Sequence, residues 1–328
     1  MKAKFKTTDD KSYHDRHGSE KRDFILEYVR GLSGIKKVYD VGCNNGKISY
    51  PLQKELGLDV LGTDFSTKLR HPEDYNFVHR NIAEDSNVYF NDVTLFLSLY
   101  HHILGAYSLE KADEVFLKLF LRSKYLIFDT GNLSERGRSD QFWYRAQKDI
   151  FKNEDELLDH FNLPYEVLGS WPCGKGTRKV VVFKNEGSVI DIEDTFVTKN
   201  GTPYQKEGLI PFEGTLEELW KDKKLKPTLF YKLKWNNKFL FAKKRPKGFY
   251  DENLEPNEIR NIQNVYNTLN PNSLLNFYGY NDTHGIIYEW VDNLKYLGKT
   301  KMSIGNVNLI DVNEFEVDGV KKLTDFDR

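Results

Sequence analysis

Cysteine is nearly absent: Cys43 and Cys173 are the only two in 328 residues. Two thiols cannot build a disulfide framework, and their spacing matches no metal site, so both are expected reduced and no metal is expected. An apolar leader and a long apolar run are missing as well. The opening MKAKFKTTDDKSYHDRH is charged and polar, and the longest apolar stretch, near Val93 to Tyr100, is far too short to cross a bilayer. The expectation is a cytoplasmic protein without a membrane span. There is no excess of charge either. Forty-eight Lys and Arg stand against 49 Asp and Glu, a net charge of -1, which weighs against a large nucleic-acid footprint. No repeat and no low-complexity tract interrupts the chain.

What is present is the profile of a folded protein, 39% apolar and 14% aromatic. The length suggests two domains, drawn here as residues 1–190 and 191–328. Tyr13, His14, Arg16 and His17 gather hydrogen-bonding groups in the lead-in, which either folds over a ligand or is a mobile terminus. From Lys21 the pattern alternates. Phe24, Ile25, Tyr28 and Val29 sit at helical spacing, and Lys36 to Val41 is a β-rich run ending at a glycine. A helix follows through Tyr50 to Leu56, then a strand at Asp59 to Thr63. Apolar runs at Asn76 to Ile82, Val93 to Tyr100 and Tyr125 to Phe128 are separated by segments long enough for helices, such as Leu109 to Leu121. This alternation predicts parallel strands with right-handed crossovers, an α/β sandwich of the doubly wound type. Tyr165 to Ser170 and Lys179 to Phe183 flank a Pro-Cys-Gly-Lys-Gly turn and predict a hairpin that brings an antiparallel strand to the sheet.

A ligand-binding pattern lies at the carboxyl ends of these strands, where open α/β sheets bind. VYDVGCNNGKIS places Asp40, Gly42 and Gly46 between a strand and a helix. Glycines there let the backbone bend sharply and approach a bulky ligand, and the helix N-terminus offers N–H groups to an anion. Asp64, at the end of the next strand, can accept hydrogen bonds from both hydroxyls of a ribose. Asn81 and the N–H of Ile82 could read an adenine edge. Asn44 stands where a dinucleotide site needs a second glycine, so a pyrophosphate is excluded.

DVGCNNG with a downstream acid resembles motif I and the ribose-binding acid of class I S-adenosylmethionine-dependent methyltransferases. The resemblance covers about half the chain. It implies a Rossmann-like seven-stranded sheet whose last strand is antiparallel, with S-adenosylmethionine as cofactor. It also implies cofactor contacts from Asp40, Gly42, Cys43 and Gly46, from Asp64 and Phe65, and from Asn81, Ile82 and Ser98. The methyl group would then point to the end of the fourth strand, where Tyr100, His101 and His102 follow. His101 or His102 would take a proton from an alcohol, and Tyr100 would contact the acceptor. L-S-L-Y-H-H-I further resembles the bifunctional methyltransferase-kinases that cap bacterial O-antigen polysaccharides. After the fifth strand, Arg136, Arg138 and Arg145 offer forked donors for phosphate or carboxylate, and Trp143 offers a flat face for a sugar. The competing view is that these arginines are solvated and the aromatics fill core.

Residues 191–328 predict a smaller α+β domain, with strands at Thr228 to Trp235 and Phe239 to Ala242 joined by the Asn236-Asn237 turn. A helix is predicted from Asn257 to Leu269, with further strands at Gly285 to Trp290 and Val307 to Val312. KFLFAKKR resembles the strand that carries the phosphate-binding lysine of protein kinases, which would be Lys243 or Lys244. Glu258 would be its ion-pair partner, and Asn306 and Asp325 would sit where kinases place metal ligands. No glycine-rich loop precedes the lysine strand, and Lys301 stands where the catalytic Asp belongs. The reading is therefore a non-catalytic, kinase-like remnant. The expected activity is O-methyl transfer to a glycan, a sugar phosphate or a related small acceptor. Two rivals stand beside it: an RNA methyltransferase with a lysine-rich RNA-binding module, and a cofactor-binding scaffold that is not an enzyme.

Overall fold

The computed structural model describes residues 18–85, 87–131, 133, 142–173, 176–187, 190–198, 210–211, 228–245, 254–269, 274–291, 295–304, 307–317 and 320–327. The chain divides into two compact units, Met1–Asp85 with Phe90–Asn185, and Ser86–Tyr89 with Glu186–Arg328.

In the first unit, α1 (Gly18–Gly31) turns Ile25, Leu26 and Val29 inward from positions a helical turn apart. It leads into β1 (Lys37–Val41), α2 (Ser49–Leu56), β2 (Asp59–Asp64), β3 (Phe77–His79) and β4 (Asn91–Phe96). Then come α3 (Tyr100–Ala106), α4 (Leu109–Leu121), β5 (Ser123–Asp129), α5 (Phe142–Ile150), α6 (Glu154–His160), β6 (Tyr165–Cys173) and β7 (Gly176–Lys184). The caps follow the sequence: the Ser108 side chain accepts from Lys111 N at the start of α4, and Asn153 accepts from Glu156 N at the start of α6.

Seven strands form one sheet in the order β3-β2-β1-β4-β5-β7-β6. The first five are parallel, and β7 runs antiparallel between β5 and β6. This is the doubly wound arrangement that the alternation predicted and the Rossmann-like seven-stranded sheet that the resemblance implied, with the order reversing at β1, where the chain steps from one half of the sheet to the other. One face of the core is aromatic: Phe116 stacks on Phe161 at 3.7 Å, and Phe128 and Phe183 meet them edge-on. Tyr100 belongs to this core. It is fully buried, edge-on to Phe128 and Phe161, and its hydroxyl donates to Asp113 at 2.7 Å. The expectation that Tyr100 contacts an acceptor is thereby corrected: the first turn of α3 points it inward and commits its one polar atom.

The second unit is α+β. A six-stranded antiparallel sheet runs β12-β13-β11-β10-β8-β9, from β8 (Asp191–Thr198), β9 (Ile210–Pro211), β10 (Thr228–Trp235), β11 (Lys238–Lys244), β12 (Phe277–Asn281) and β13 (Gly285–Glu289). The helix α7 (Leu254–Thr268) buries Ile262, Val265 and Tyr266. β14 (Lys295–Ile304), β15 (Val307–Val317) and β16 (Val320–Asp327) form a separate three-stranded sheet. The sequence reading passed over β8, β9, β12 and β14. β14 is rich in lysine, so a two-residue alternation of apolar side chains is weak there.

Candidate active site

The turn after β1 is built on left-handed backbone. Gly42, Asn44 and Gly46 have φ of 76°, 52° and 74°. Glycine and asparagine are the residues that adopt this region at least cost. A Cβ on Gly42 would stand 3.0 Å from Leu99 Cδ2, and one on Gly46 3.0 Å from the Tyr75 ring. Gly62 on β2 is tighter still: its Cβ would lie 2.1 Å from the Tyr75 hydroxyl. Tyr75 thus lies under the turn, with its hydroxyl 2.5 Å from Ser49 Oγ at the start of α2. The missing side chains at 46 and 62 make room for this ring; at Gly46 the sequence alone suggested room for a ligand.

The N–H groups of Gly42 and Cys43 are both taken by the Thr63 carbonyl, at 2.8 and 3.0 Å. The Cys43 thiol is buried in the core with Leu52 and Tyr75, and burial pushes its pKa up. The thiol thus packs in the core, and the contact expected of Cys43 is left to its backbone. Asp40 is 4% exposed. Burial raises its carboxyl first of all, the Ser49 hydrogen bond draws it back, and the neighbouring Asp64 carboxylate raises it again, to about 7.

Asp64 closes the turn from β2. Its Oδ2 accepts from Asn44 N at 2.9 Å, and its Oδ1 from Ser66 N at 2.8 Å. A carboxylate has about four acceptor positions, so each oxygen keeps one for another donor. Phe65 is 41% exposed beside it, its ring stacked on His79 at 6.5 Å. Asn81 is committed internally: its amide donates to the Tyr107 hydroxyl at 2.8 Å, and its oxygen accepts from Ala83 N at 3.2 Å. Ile82 is half-buried next to it.

The ends of β4 and β5 hold a polar cluster that the sequence reading only partly named. Ser98, left-handed at φ 57°, donates to Asp129 Oδ2 at 3.3 Å and accepts from Arg178. Asp129 is fully buried and ion-paired with Lys21 from α1, with Arg178 at 3.7 Å, and it accepts from Gly131 N at 2.9 Å. Burial opposes its charge, but Lys21 and Arg178 outweigh that and hold its pKa below the usual carboxylate range. His101 is 4% exposed, its ring 4.3 Å from that of His102, and its Nδ1 has no hydrogen-bond partner among the described residues. Burial lowers the pKa of His101 well below the usual range, with His102 and Arg178 adding to it. Burial and Arg178 lower His102 to about 4. Both imidazoles are therefore neutral at pH 7. Gly131, with φ 73°, has His101 Nδ1 2.7 Å and Gln147 Oε1 3.0 Å from the place of a Cβ.

Lys21, Asp129, Gln147 and Arg178 escaped the sequence reading because they come from four elements far apart in the chain. The one available signal was the Asp that ends the fifth strand. Arg136 and Arg138 lie outside the described residues, as do the lead-in rings at 13, 14 and 17. Trp143 and Arg145 fall on α5, with their side chains outside the described set.

In the second unit, the sequence left Lys243 and Lys244 as alternatives. Lys243 Nζ lies 3.0 Å from Glu258 Oε1, both groups buried, and Arg245 takes the other oxygen. Lys244 instead donates to the carbonyls of Asp282 and Thr283. Asn306 lies outside the described residues, and of Asp325 only the backbone, on β16, is described. Among the described residues no cluster of His, Cys, Asp and Glu could hold a metal, and no helix is long and apolar enough to cross a membrane.

No protein-family profile and no curated protein matches this sequence. Solved structures do show similarity. The bifunctional kinase-methyltransferase WbdD is 16% identical with a TM-score of 0.43, over 83% of this chain and 62% of that one. The chain thus spans less than two thirds of WbdD. The N-terminal domain of EvdMO1, solved with SAH bound, is 12% identical with a TM-score of 0.37, over 51% of this chain and 82% of that one. The plantazolicin methyltransferase BpumL, solved with a pentazolic desmethylPZN analog and SAH, is 14% identical with a TM-score of 0.38, over 53% and 88%.

Proposed function

We propose that the first unit is an S-adenosylmethionine-dependent O-methyltransferase acting on a glycan, a sugar phosphate or a related small acceptor, and that the second is a non-catalytic binding module. The observation that carries this reading is the Asp64 carboxylate, anchored to the left-handed turn through Asn44 N while each of its oxygens keeps an acceptor position. Those positions suit the two hydroxyls of a ribose, and the half-exposed Phe65 offers the adenine a flat face. The cofactor, when bound, supplies an electrophilic methyl group on sulfur.

The residues at the ends of β4 and β5 support the acceptor half of the reading. A neutral imidazole at His101 or His102 can take the proton of an attacking hydroxyl. Lys21 and Arg178 bring two positive charges to one carboxylate, which favours an acceptor bearing phosphate or carboxylate. Where the attacking oxygen is already an anion, no proton has to leave, and the histidines serve to align it. In the second unit the buried Lys243–Glu258 pair supports a kinase-like ancestry. The absence of a glycine-rich loop and Lys301 at the catalytic position speak against phosphoryl transfer.

Calorimetric titration with S-adenosylhomocysteine tests the reading. Wild type should bind, and Asp64→Ala, which removes two hydrogen bonds to a charged group, should weaken binding at least tenfold. Methyl transfer from labelled cofactor to phosphorylated sugars separates the enzyme from the scaffold, and salt-sensitive RNA binding would favour the RNA-directed rival. No binding by wild type ends the proposal.

A further inference from the structure

The turn after β1 contains a residue that should not stay as it is without help. Asn44 is left-handed though not glycine, and its Oδ1 is enclosed with no hydrogen-bond partner among the described residues. Both features are unfavourable, and such features persist only where the surroundings over-determine the backbone. Two groups do so here. Asp64 accepts from the Asn44 N–H at 2.9 Å, and His71 Nε2 lies 2.5 Å from the Asn44 carbonyl. The peptide groups on either side of the Asn44 Cα are thus each held by a side chain from outside the turn.

His71 is itself fixed. Its ring stacks on Phe77 at 3.8 Å and 21°, and on Tyr75 at 5.5 Å and 27°. Tyr75 in turn fills the space left by Gly46 and Gly62 and meets Ser49. We infer that His71 is a positioning residue for the nucleoside-binding turn: its ring N–H, donated to the Asn44 carbonyl, keeps residues 42–46 in the shape that leaves the Asp64 carboxylate open to a ribose. The inference rests on the cofactor reading above. It assigns His71 no contact with the ligand.

The test compares His71→Leu, which keeps bulk but cannot donate, with His71→Gln, which can. His71→Leu should bind S-adenosylhomocysteine about three- to tenfold more weakly, the range of one lost neutral hydrogen bond, while the ligand-free melting temperature stays within about 2 °C. His71→Gln should recover most of the loss. In the Asn44→Gly background, where the left-handed turn carries no penalty, His71→Leu should cost markedly less. Unchanged affinity in His71→Leu, no rescue by Gln, or the same cost in both backgrounds overturns the inference. If His71→Leu does not fold, amide exchange at residues 42–46 decides: faster exchange in His71→Gln with unaltered affinity overturns it, and matched protection and affinity support it. Wild type that binds no S-adenosylhomocysteine removes the cofactor reading and this inference with it, whereas binding wild type with an indifferent His71→Leu overturns the inference alone.

Discussion

Asp40→Asn should stabilise the ligand-free protein, increasingly as pH rises above about 4. The carboxyl is almost fully enclosed under the turn, and its folded-state pKa of about 7 stands about three units above the ordinary 3.8. A raised acid keeps its proton in the folded chain over a range where the unfolded chain has released it, so stability falls as pH rises from about 4 to about 7. At 1.36 kcal/mol per unit the full penalty is about 4 kcal/mol, an upper figure because a burial-driven shift is eased by relaxation. Asparagine is the neutral counterpart of the protonated acid and can still accept from Ser49. The gain over wild type should be about 1 kcal/mol at pH 4.5, grow through pH 6, and level off above about pH 7.5. Denaturant melts of ligand-free protein at four pH values measure it, and the same variant should bind S-adenosylhomocysteine more weakly if Asp40 serves the cofactor. Parallel stability profiles for variant and wild type from pH 4.5 to 8.5 would refute the argument that burial sets this carboxyl.

Asp129→Ala leaves Lys21 and Arg178 facing each other without their carboxylate and should cost about 3–5 kcal/mol, read as a lowered denaturation midpoint. Its depressed pKa places its stabilising share above about pH 4, to be lost as the medium is acidified below that, so the gap between variant and wild type should narrow in acid. Glu258→Ala strands two buried cations in the second unit, at a similar cost, and the loss should appear in the transition of that unit if the two melt separately. Gly285→Ala forces a Cβ to 2.2 Å from the Lys243 carbonyl at φ 83°, and should cost at least about 1–3 kcal/mol because backbone cannot step aside. A melt unchanged within 0.5 kcal/mol would contradict the packing of that hairpin.

The sequence by itself determined the alternation of strand and helix in the first unit. Helical and strand periodicities are local, and Leu109–Leu121 could be read to the residue. It also named the Gly42 to Gly46 turn and Asp64, since left-handed glycines and a strand-terminal acid leave a mark at fixed offsets. What it could not assign was direction. Tyr100 and Cys43 lie inside the motif, yet their side chains point into the core, because the facing of one residue depends on which neighbours fill the far side. The sequence left Lys243 and Lys244 equal, and alternation on a strand sends one to Glu258 and the other to the Asp282 turn. The charged cluster about Asp129 was decided by the tertiary structure alone. Lys21, Ser98, Asp129 and Arg178 are separated by tens of residues, and only the packing of α1 together with the order of strands β4, β5 and β7 brings them within hydrogen-bonding reach.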